Sequence, residues 1–291
     1  MRTEMMDHAI LTRFNLPSSG VESLIRAQEG WLRARVQLFE RYCLPSVRAQ
    51  SNKNFVWLVY FDPNSPEWLL EKVRQYASDG PLTPLFRSAV SAEELLSDLK
   101  DATRSRTTNL LTTNLDNDDG LAVDFVERLQ EVQRVHERQA VFFVNGLIKN
   151  ENELYRRRDD SNAFCSVLES WETPRTCWSE WHNLLGQTMP VVELTGSPGW
   201  LQVVHSTNVS NRVHGQLADP APFTALFPDL LDDVTAPARL TLLRDRLLYQ
   251  PWREGYERGR AVLKGIVMRA IGKDGLDRVK LHLARRRGVS Q

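Results

Sequence analysis

Short apolar runs alternate with amphipathic segments along the first half of the chain. Apolar runs that predict strands lie at 9–14, 54–62, 83–87, 109–115 and 141–147. Segments that predict helices lie at about 30–48, 65–77, from 91 onward and at 121–136. In the first of these helices, Leu32, Val36, Phe39 and Cys43 recur at spacings that place them on one face. Strands that alternate with helices in this way predict a mostly parallel sheet with helices on both faces.

The second half of the chain is less regular. Apolar segments at 162–168, 189–194 and 198–205 predict further strands. From about residue 215 several prolines interrupt the chain, and a helical pattern rich in lysine and arginine follows. The pattern therefore predicts an α/β domain over residues 1–215 and a helical, basic C-terminal extension over residues 216–291.

The composition excludes several classes of protein. The 291 residues are 42% hydrophobic and 25% charged, which is typical of a globular protein rather than a disordered one. Basic and acidic residues both number 37, so net charge gives no reason to expect nucleic acid as a partner. The three cysteines are far apart and form no disulfide framework. Without a signal peptide or an apolar run of 18 residues, we expect a cytoplasmic protein.

Lysine and arginine dominate the last thirty residues, in which only Asp274 and Asp277 are acidic. Such a segment can contact an anionic membrane surface peripherally, at the inner face of the membrane. The alternative is an ordinary solvated helical face.

An acidic cluster follows the strand predicted at 109–115. Asp116, Asp118 and Asp119 fall within four residues and precede Gly120. Carboxylates are costly to bring together unless a positive charge holds them, and Mn²⁺ or Mg²⁺ prefers such oxygen ligands. In extended backbone Asp116 and Asp118 point the same way, so both can approach one cation. The pattern predicts a metal-bound diphosphate at the carboxyl end of this strand.

Other interpretations of the cluster compete with a metal site. Asp118 or Asp119 could cap the helix predicted from residue 121, or the cluster could be a solvated turn. A calcium loop of the EF-hand type is excluded, because a loop that starts at Asp116 places Leu121 at the position that requires glycine.

Several residues elsewhere are candidates for binding. His205 follows a predicted strand and could be a third metal ligand or a buried histidine, with His182 and His214 as weaker alternatives. Asp62 could bind a ribose or base, or could simply lie at a helix entry. Candidates for phosphate binding are Arg13, Arg104 and Arg106, each of which could equally be a surface residue.

A metal-bound diphosphate points toward nucleotide-sugar chemistry, and sugar transfer would also require a base and a surface for the sugar. Glu169 or Glu180 could take the proton from an attacking hydroxyl, or either could be an ordinary glutamate. The tryptophans that could stack on sugar rings, or belong to the core, are Trp171, Trp178, Trp181 and Trp200.

The chain resembles a bacterial family described as putative rhamnosyltransferases, which are glycosyltransferases with the GT-A fold. The resemblance covers about residues 8–215 and depends on the segments 12–15, 44–46, 55–58, 113–121, 164–169 and 200–205. It implies a GT-A-like, mostly parallel sheet. It also implies that Asp116 and Asp118 are the metal-binding pair and that His205 assists them. Asp62 would lie near the nucleotide, and Thr12 and Arg13 would join it in the donor site.

These observations predict a metal-dependent glycosyltransferase. It would move a sugar, such as rhamnose, from a nucleoside diphosphate donor to a hydroxyl on a glycan or glycolipid, with Glu169 or Glu180 as base. Two alternatives remain open at this point. One is a metal-dependent nucleotidyltransferase or phosphohydrolase, and the other is a non-catalytic module that binds glycans.

Overall fold

The computed structural model describes residues 6–17, 30–104, 107–205, 213–253 and 255. The strands of this part of the chain are β1 Met6–Arg13, β2 Val56–Phe61, β3 Leu82–Phe86, β4 Asn109–Asn114, β5 Gly120–Leu121, β6 Arg138–Phe143, β7 Asn145–Asn150, β8 Glu153–Arg158, β9 Ser166–Ser170, β10 Val191–Leu194, β11 Trp200–Val204 and β12 Gln216–Leu217.

The helices are fewer and mostly short. Helix α1 joins Trp31–Leu38, a π-helical turn at Phe39–Cys43 and Leu44–Arg48 into one continuous element. The others are α2 Glu67–Ser78, α3 Ala92–Thr103, α4 Phe125–Gln130, α5 Leu185–Thr188 and α6 Arg239–Arg244, which continues as a π-helical turn at Asp245–Tyr249; a 3₁₀ turn lies at Ala221–Phe223.

The larger sheet has seven strands in the order β10-β6-β9-β4-β1-β2-β3. Strands β4, β1, β2 and β3 are parallel neighbours, as the alternating pattern predicted. Strand β9 runs antiparallel between β4 and β6. The mixed α/β fold with a mostly parallel sheet is thus confirmed, and the carboxyl ends of β1 and β4 lie side by side at one edge.

A second sheet of five strands has the order β12-β8-β7-β11-β5 and was not predicted. The apolar run at 141–147 was read as one strand, but Val144 separates β6 in the larger sheet from β7 in the smaller one. Gly146 of β7 pairs with Trp200 of β11, and a Cβ at Gly146 would lie 2.0 Å from the Trp200 ring. Only glycine therefore lets this indole pack across the sheet.

The helix predicted at 121–136 is largely wrong. Gly120 and Leu121 form β5, whose backbone pairs with β11, and the helix itself spans only Phe125–Gln130. The helical spacing was nevertheless informative, because Ala122, Phe125 and Leu129 are all buried. Pairing with β11 therefore outweighs the local helical preference around residue 121.

The helix starts agree closely with the predicted segments. The capping box of Ser91 and Glu94 begins α3. Pro66 is the N-cap of α2, and the hydroxyl of the preceding Ser65 donates a hydrogen bond to the Asp62 carbonyl.

Packing continues past the predicted domain boundary at residue 215. Strand β12 joins the smaller sheet, and Phe227, Leu230 and Leu231 pack in one cluster with Leu201 and Val203 of β11. Most of the predicted basic extension, from Lys264 to Arg287, lies outside the described residues. Among the described residues, no helix is both long and apolar enough to cross a lipid bilayer.

Candidate active site

A cleft of about 900 Å³ opens at the carboxyl ends of β1 and β4. Arg13 and Phe14 contribute one wall, the acidic turn after β4 contributes another, and Ile148 and Gln202 border it from the smaller sheet. The loop that carries residues 178–182 completes the lining. Ligands of α/β sheets bind at this edge, because loops after adjacent parallel strands meet there.

Asn117 fixes the acidic turn to the end of β1. Its side-chain amide donates hydrogen bonds to the carbonyl oxygens of Arg13, at 3.0 Å, and Phe14, at 2.6 Å. Its own carbonyl oxygen accepts from Arg35 Nη1 at 3.1 Å. This amide therefore holds the backbone of residues 116–119 in place while the neighbouring carboxylates face the cleft and the core.

Asp118 is a buried carboxylate with two positive or polar partners. Its Oδ2 lies 2.7 Å from Arg35 Nη1 of α1 and 2.8 Å from His205 Nε2. Burial raises the pKa of Asp118, but the hydrogen bond with His205 and the charge of Arg35 outweigh that effect, so the pKa lies below its ordinary value. Asp118 is thus held ionised in the wall of the cleft.

The pKa of Asp116 is shifted in the opposite direction from that of Asp118. Its side chain opens into the cleft, yet the surrounding protein raises its pKa by desolvation, and the charge of Asp118 raises it further. An amide of Asn114 at 3.4 Å, together with the more distant His182 and Arg13, compensates only in part. No basic side chain of the described residues forms an ion pair with Asp116. The cleft therefore has an excess of negative charge at this point.

Asp119 points into the core rather than the cleft. It is 1% exposed, and its Oδ1 accepts a hydrogen bond from the Val203 amide at 2.8 Å. Burial, with the charges of Asp118 and Asp116, raises the pKa of Asp119 well above its ordinary value. Oδ2 of Asp119 has no hydrogen-bond partner among the described residues. The bond to Val203 fixes the end of β11, two residues before His205.

The two simpler interpretations of the acidic cluster are wrong. Asp124 precedes α4, and neither Asp118 nor Asp119 caps it. A solvated turn is also excluded, because both of these aspartates are almost fully buried.

The donor types suit a hard divalent cation. Asp116 and Asp118 offer carboxylate oxygens, and the imidazole of His205 lies beside them. Desolvation and the charge of Asp118 raise the pKa of Asp116, and a cation bound there would favour the ionised carboxylate. No three acidic, histidine or cysteine side chains of the described residues are already arranged around a metal position, and Asp118 forms an ion pair with Arg35. The donor chemistry fits the metal, whereas the Arg35 contact must change to admit it.

Arginines and aromatic rings line the rest of the cleft. The Arg13 guanidinium lies 4.0 Å from the centre of the Trp178 ring. Trp178 Nε1 donates to Asn114 Oδ1 at 2.7 Å, and Asn114 in turn donates to the Ala163 carbonyl at 2.8 Å. Arg35 and Arg157 also border the space. Such guanidinium groups bind phosphate oxygens well.

The structure gathers some predicted site residues and separates others. Arg13, Asp116, Asp118 and Glu180 border the cleft, and His205 contacts Asp118. Trp178, Trp181 and Trp200 border it as well, although Trp200 is buried and stacks on Phe164. Trp171 does not border the cleft among the described residues. It packs against the core, and its indole nitrogen donates a hydrogen bond to Asp7.

Three candidates for the donor site lie elsewhere. Thr12 is fully buried, and its hydroxyl oxygen accepts a hydrogen bond from Trp57 Nε1 at 3.0 Å. Asp62 accepts from the Asn64 amide at 2.8 Å and is not among the described residues that line the cleft. Arg104 ends α3 on the segment that leads to the amino end of β4. Arg106 lies outside the described residues.

Glu169 is placed at the wrong end of the sheet for a base. It pairs with Leu110 at the amino end of β4 and is fully buried. Its carboxylate accepts hydrogen bonds from Arg138 Nε at 2.6 Å, the Arg175 amide at 2.9 Å and the Thr176 amide at 2.7 Å. Glu180, in contrast, is exposed and borders the cleft. Of the two glutamates, only Glu180 can meet a substrate there.

Arg35, Arg157 and Asn117 were missed by the sequence reasoning. Arg35 lies on a helix whose pattern identifies only the buried face, and Arg157 lies on β8, for which no strand was predicted. Asn117 was visible inside the acidic motif, but only the carboxylates there suggested chemistry.

A family model described as "Putative rhamnosyl transferase" matches residues 7–217 of this sequence. The chain belongs to this family. The match confirms the resemblance seen in the sequence. No curated protein sequence matches the chain significantly.

Several solved structures match the chain at TM-scores of 0.41 or lower. The crystal structure of TarS from S. aureus gives a TM-score of 0.41 at 11% identity, covering 68% of this chain and 37% of TarS. The structure of TarS residues 1–349 in complex with UDP gives a TM-score of 0.41 at 12% identity, and the match covers 68% of this chain and 60% of that one. A putative nucleotide-diphospho-sugar transferase from Desulfovibrio desulfuricans G20 gives a TM-score of 0.37 at 10% identity, and the match covers 69% of this chain and 83% of that one. The chain thus spans well under two thirds of TarS.

Proposed function

We propose that the protein transfers a sugar, such as rhamnose, from a nucleoside diphosphate donor to a hydroxyl of a glycan or glycolipid. The carrying observation is that Asp116 and Asp118 face the same cleft as Arg13 and Arg35, at the carboxyl edge of the parallel strands. This arrangement offers both a cation site and direct donors for a diphosphate. Aromatic side chains beside it offer flat surfaces for a sugar or a base.

Asp116 and Asp118 would hold Mn²⁺ or Mg²⁺, with His205 as a further ligand or a partner that orients Asp118. A bound divalent cation neutralises the charge that develops on a departing diphosphate, an effect worth several kcal/mol. The position of Asp116 supports this assignment, because its carboxylate borders the cleft and forms no ion pair with a basic side chain of the described residues.

Arg35 would exchange partners when the donor binds. In this structure Arg35 Nη1 lies 2.7 Å from Asp118 Oδ2 and forms an ion pair with it. With a metal beside Asp118, Arg35 would be available to donate hydrogen bonds to phosphate oxygens of the donor, as would Arg13, which borders the same cleft. The ion pair thus keeps Asp118 ionised and in position before the donor arrives.

Glu180 would act as the general base. It accepts the proton of the acceptor hydroxyl while that oxygen forms a bond to the anomeric carbon and the bond from this carbon to the diphosphate oxygen breaks. The nucleoside diphosphate leaves with the bonding electrons. Direct displacement of this kind inverts the configuration at the anomeric carbon.

A panel of nucleoside diphosphate sugars tests the proposal. Each donor is incubated with Mn²⁺, Mg²⁺ or a chelator, and mass spectrometry identifies both the released nucleotide and any transferred or hydrolysed sugar. The proposal predicts release of a nucleoside diphosphate from at least one donor, abolished by the chelator. Release of pyrophosphate, or turnover that the chelator does not affect, would contradict it.

A further inference from the structure

The helical segment 239–253 exposes an unusual amount of apolar surface. Six of its side chains are between 52% and 69% exposed, namely Leu240, Leu243, Leu247, Leu248, Tyr249 and Trp252. Elsewhere in the described chain, exposed large apolar residues occur singly, as Val135 does. Contiguous apolar patches of this kind mark surfaces that contact a protein or a membrane.

The apolar residues are ordered along the helix. Leu240, Leu243 and Leu247 follow a spacing of three and four, which places them on one side. Arg239 precedes this stripe, Arg244 and Arg246 lie between its leucines in sequence, and all three arginines are exposed. An apolar stripe bordered by arginines is typical of helices that lie in the plane of a membrane interface.

A polar clamp holds the opposite side of this helix against the protein. Asp245 is 4% exposed, and its Oδ2 accepts a hydrogen bond from the Leu217 amide at 2.8 Å. Arg253 binds both oxygens of Asp245, at 2.8 and 2.9 Å, and also donates to the Gly215 carbonyl at 2.8 Å. The clamp and the partly buried Leu242 thus hold one side of the helix against the protein, whereas Leu240, Leu243 and Leu247 are exposed.

Charge identifies the partner that this face fits. The segment 239–291 contains 14 basic and 5 acidic residues, although the whole chain has 37 of each. The remainder of the protein is therefore net acidic, and an anionic surface will attract this end of the chain and repel the rest. A second copy of the chain would bring two cationic stripes together, which the charge disfavours.

We infer that the stripe of Leu240, Leu243 and Leu247 inserts into the surface of an anionic phospholipid membrane, with the flanking arginines at the headgroups. The clamp at Gly215 and Leu217 directly follows His214, which borders the cleft. Membrane contact through this helix would bring the cleft near the bilayer, and on the proposed function a glycolipid acceptor would be located there. The inference does not depend on the metal or on the identity of the donor.

Vesicle sedimentation tests this inference with the full chain. Wild type is compared with a variant carrying Leu240→Ser, Leu243→Ser and Leu247→Ser, which keeps every charge. Val135→Ser serves as the control for loss of an exposed apolar residue. Vesicles contain phosphatidylcholine alone or with one third phosphatidylglycerol. We expect wild type and control to sediment with the anionic vesicles only, and the triple variant to bind them at least tenfold more weakly.

Circular dichroism and light scattering complete the test. The triple variant should keep the wild-type spectrum and oligomeric state, because its substituted side chains face outward. Equal vesicle binding by the triple variant would show that the basic tail alone makes the contact, and would overturn the inference. A dimeric wild type that becomes monomeric in the variant would also overturn it, because the stripe would then be an interface between copies.

Discussion

The two ends of the larger sheet both contain buried carboxylates, but the hydrogen-bond donors and charges around these carboxylates differ. At the amino end, Glu169 accepts three hydrogen bonds from Arg138 and two backbone amides. Asp7 accepts from the Thr107 amide and the Trp171 indole. These acids are fully satisfied by the protein, so their role is to hold loops to the sheet.

The carboxyl end keeps its carboxylates close together and only partly satisfied. Asp118 has a lowered pKa, whereas the pKa values of Asp116 and Asp119 are raised by burial and by mutual repulsion. Such crowding costs stability and is typical of functional sites. The comparison shows that a buried acid indicates function when its neighbours leave charge uncompensated, and indicates structure when donors surround it.

The largest effect is expected from the base. Replacing Glu180→Gln should lower kcat about 10²–10⁴-fold, because the neutral amide cannot accept the proton of the acceptor hydroxyl. Donor binding should remain, as measured by calorimetry with the nucleoside diphosphate. Glu172→Gln is the matched control, since Glu172 is exposed on the same loop. Equal activity of the Glu180 and Glu172 variants would remove the proposed base.

A similar loss of activity without loss of stability is expected for Asp116→Asn. Turnover should fall about 10²–10³-fold, since one charged group of the cation site is removed. A raised pKa means that the ionised carboxylate costs folding stability as the pH rises through that pKa. At pH 7 the unfolding free energy of the variant, measured by urea denaturation, should therefore equal or exceed that of wild type. Below the ordinary pKa of aspartate the variant should have no such advantage, because the carboxyl of wild type is then protonated in both the folded and the unfolded state. A marked loss of stability at pH 7 would show that Asp116 is structural.

The opposite outcome is expected at the amino end for Glu169→Gln. Weakening the buried pair with Arg138 should cost about 3 kcal/mol of unfolding free energy. The kcat of the folded fraction should be unchanged, because Glu169 does not border the cleft. Denaturation and active-site titration measure the two quantities separately. If kcat fell while stability was retained, the contrast between the two ends would fail.

A smaller, metal-dependent effect is expected for Arg35→Gln. Loss of this cation removes the ion-pair partner of the buried Asp118 carboxylate, which should cost about 1–2 kcal/mol in metal-free protein. Mn²⁺ should restore more stability to this variant than it adds to wild type, because the cation no longer competes with a guanidinium. Arg33→Gln on the exposed side of the same helix is the control. Equal thermal shifts with Mn²⁺ in all three proteins would contradict the exchange of partners.

The larger sheet was predictable from sequence because its central strands are almost fully buried. Runs such as Val56–Phe61 are apolar at nearly every position, and only a central parallel strand requires that. The smaller sheet escaped prediction because β8 is half exposed and rich in arginine, and because β5 has only two residues. Their pairing depends on contacts across the chain, which local patterns do not contain.

The site was predictable only in part, for a related reason. The acidic motif was recognisable because three carboxylates follow one predicted strand. Arg13 was recognisable because it lies at the end of another. Glu169 and Glu180 look alike in sequence, and only the antiparallel direction of β9 places the first at the far end of the sheet. Arg35 contacts Asp118 across 83 positions of the sequence, so no local spacing could have indicated it.

Titration with Mn²⁺, followed by electron paramagnetic resonance, tests the central claim most directly. Free Mn²⁺ is measured for wild type and for Asp116→Asn, with and without a nucleoside diphosphate, and Asp79→Asn is the control on an exposed helix end. The account predicts one bound Mn²⁺ in wild type and control, held more tightly when the nucleotide is present, and no such binding in Asp116→Asn. Nucleotide binding without Mn²⁺ uptake, or Mn²⁺ uptake that Asp116→Asn leaves unchanged, would contradict it.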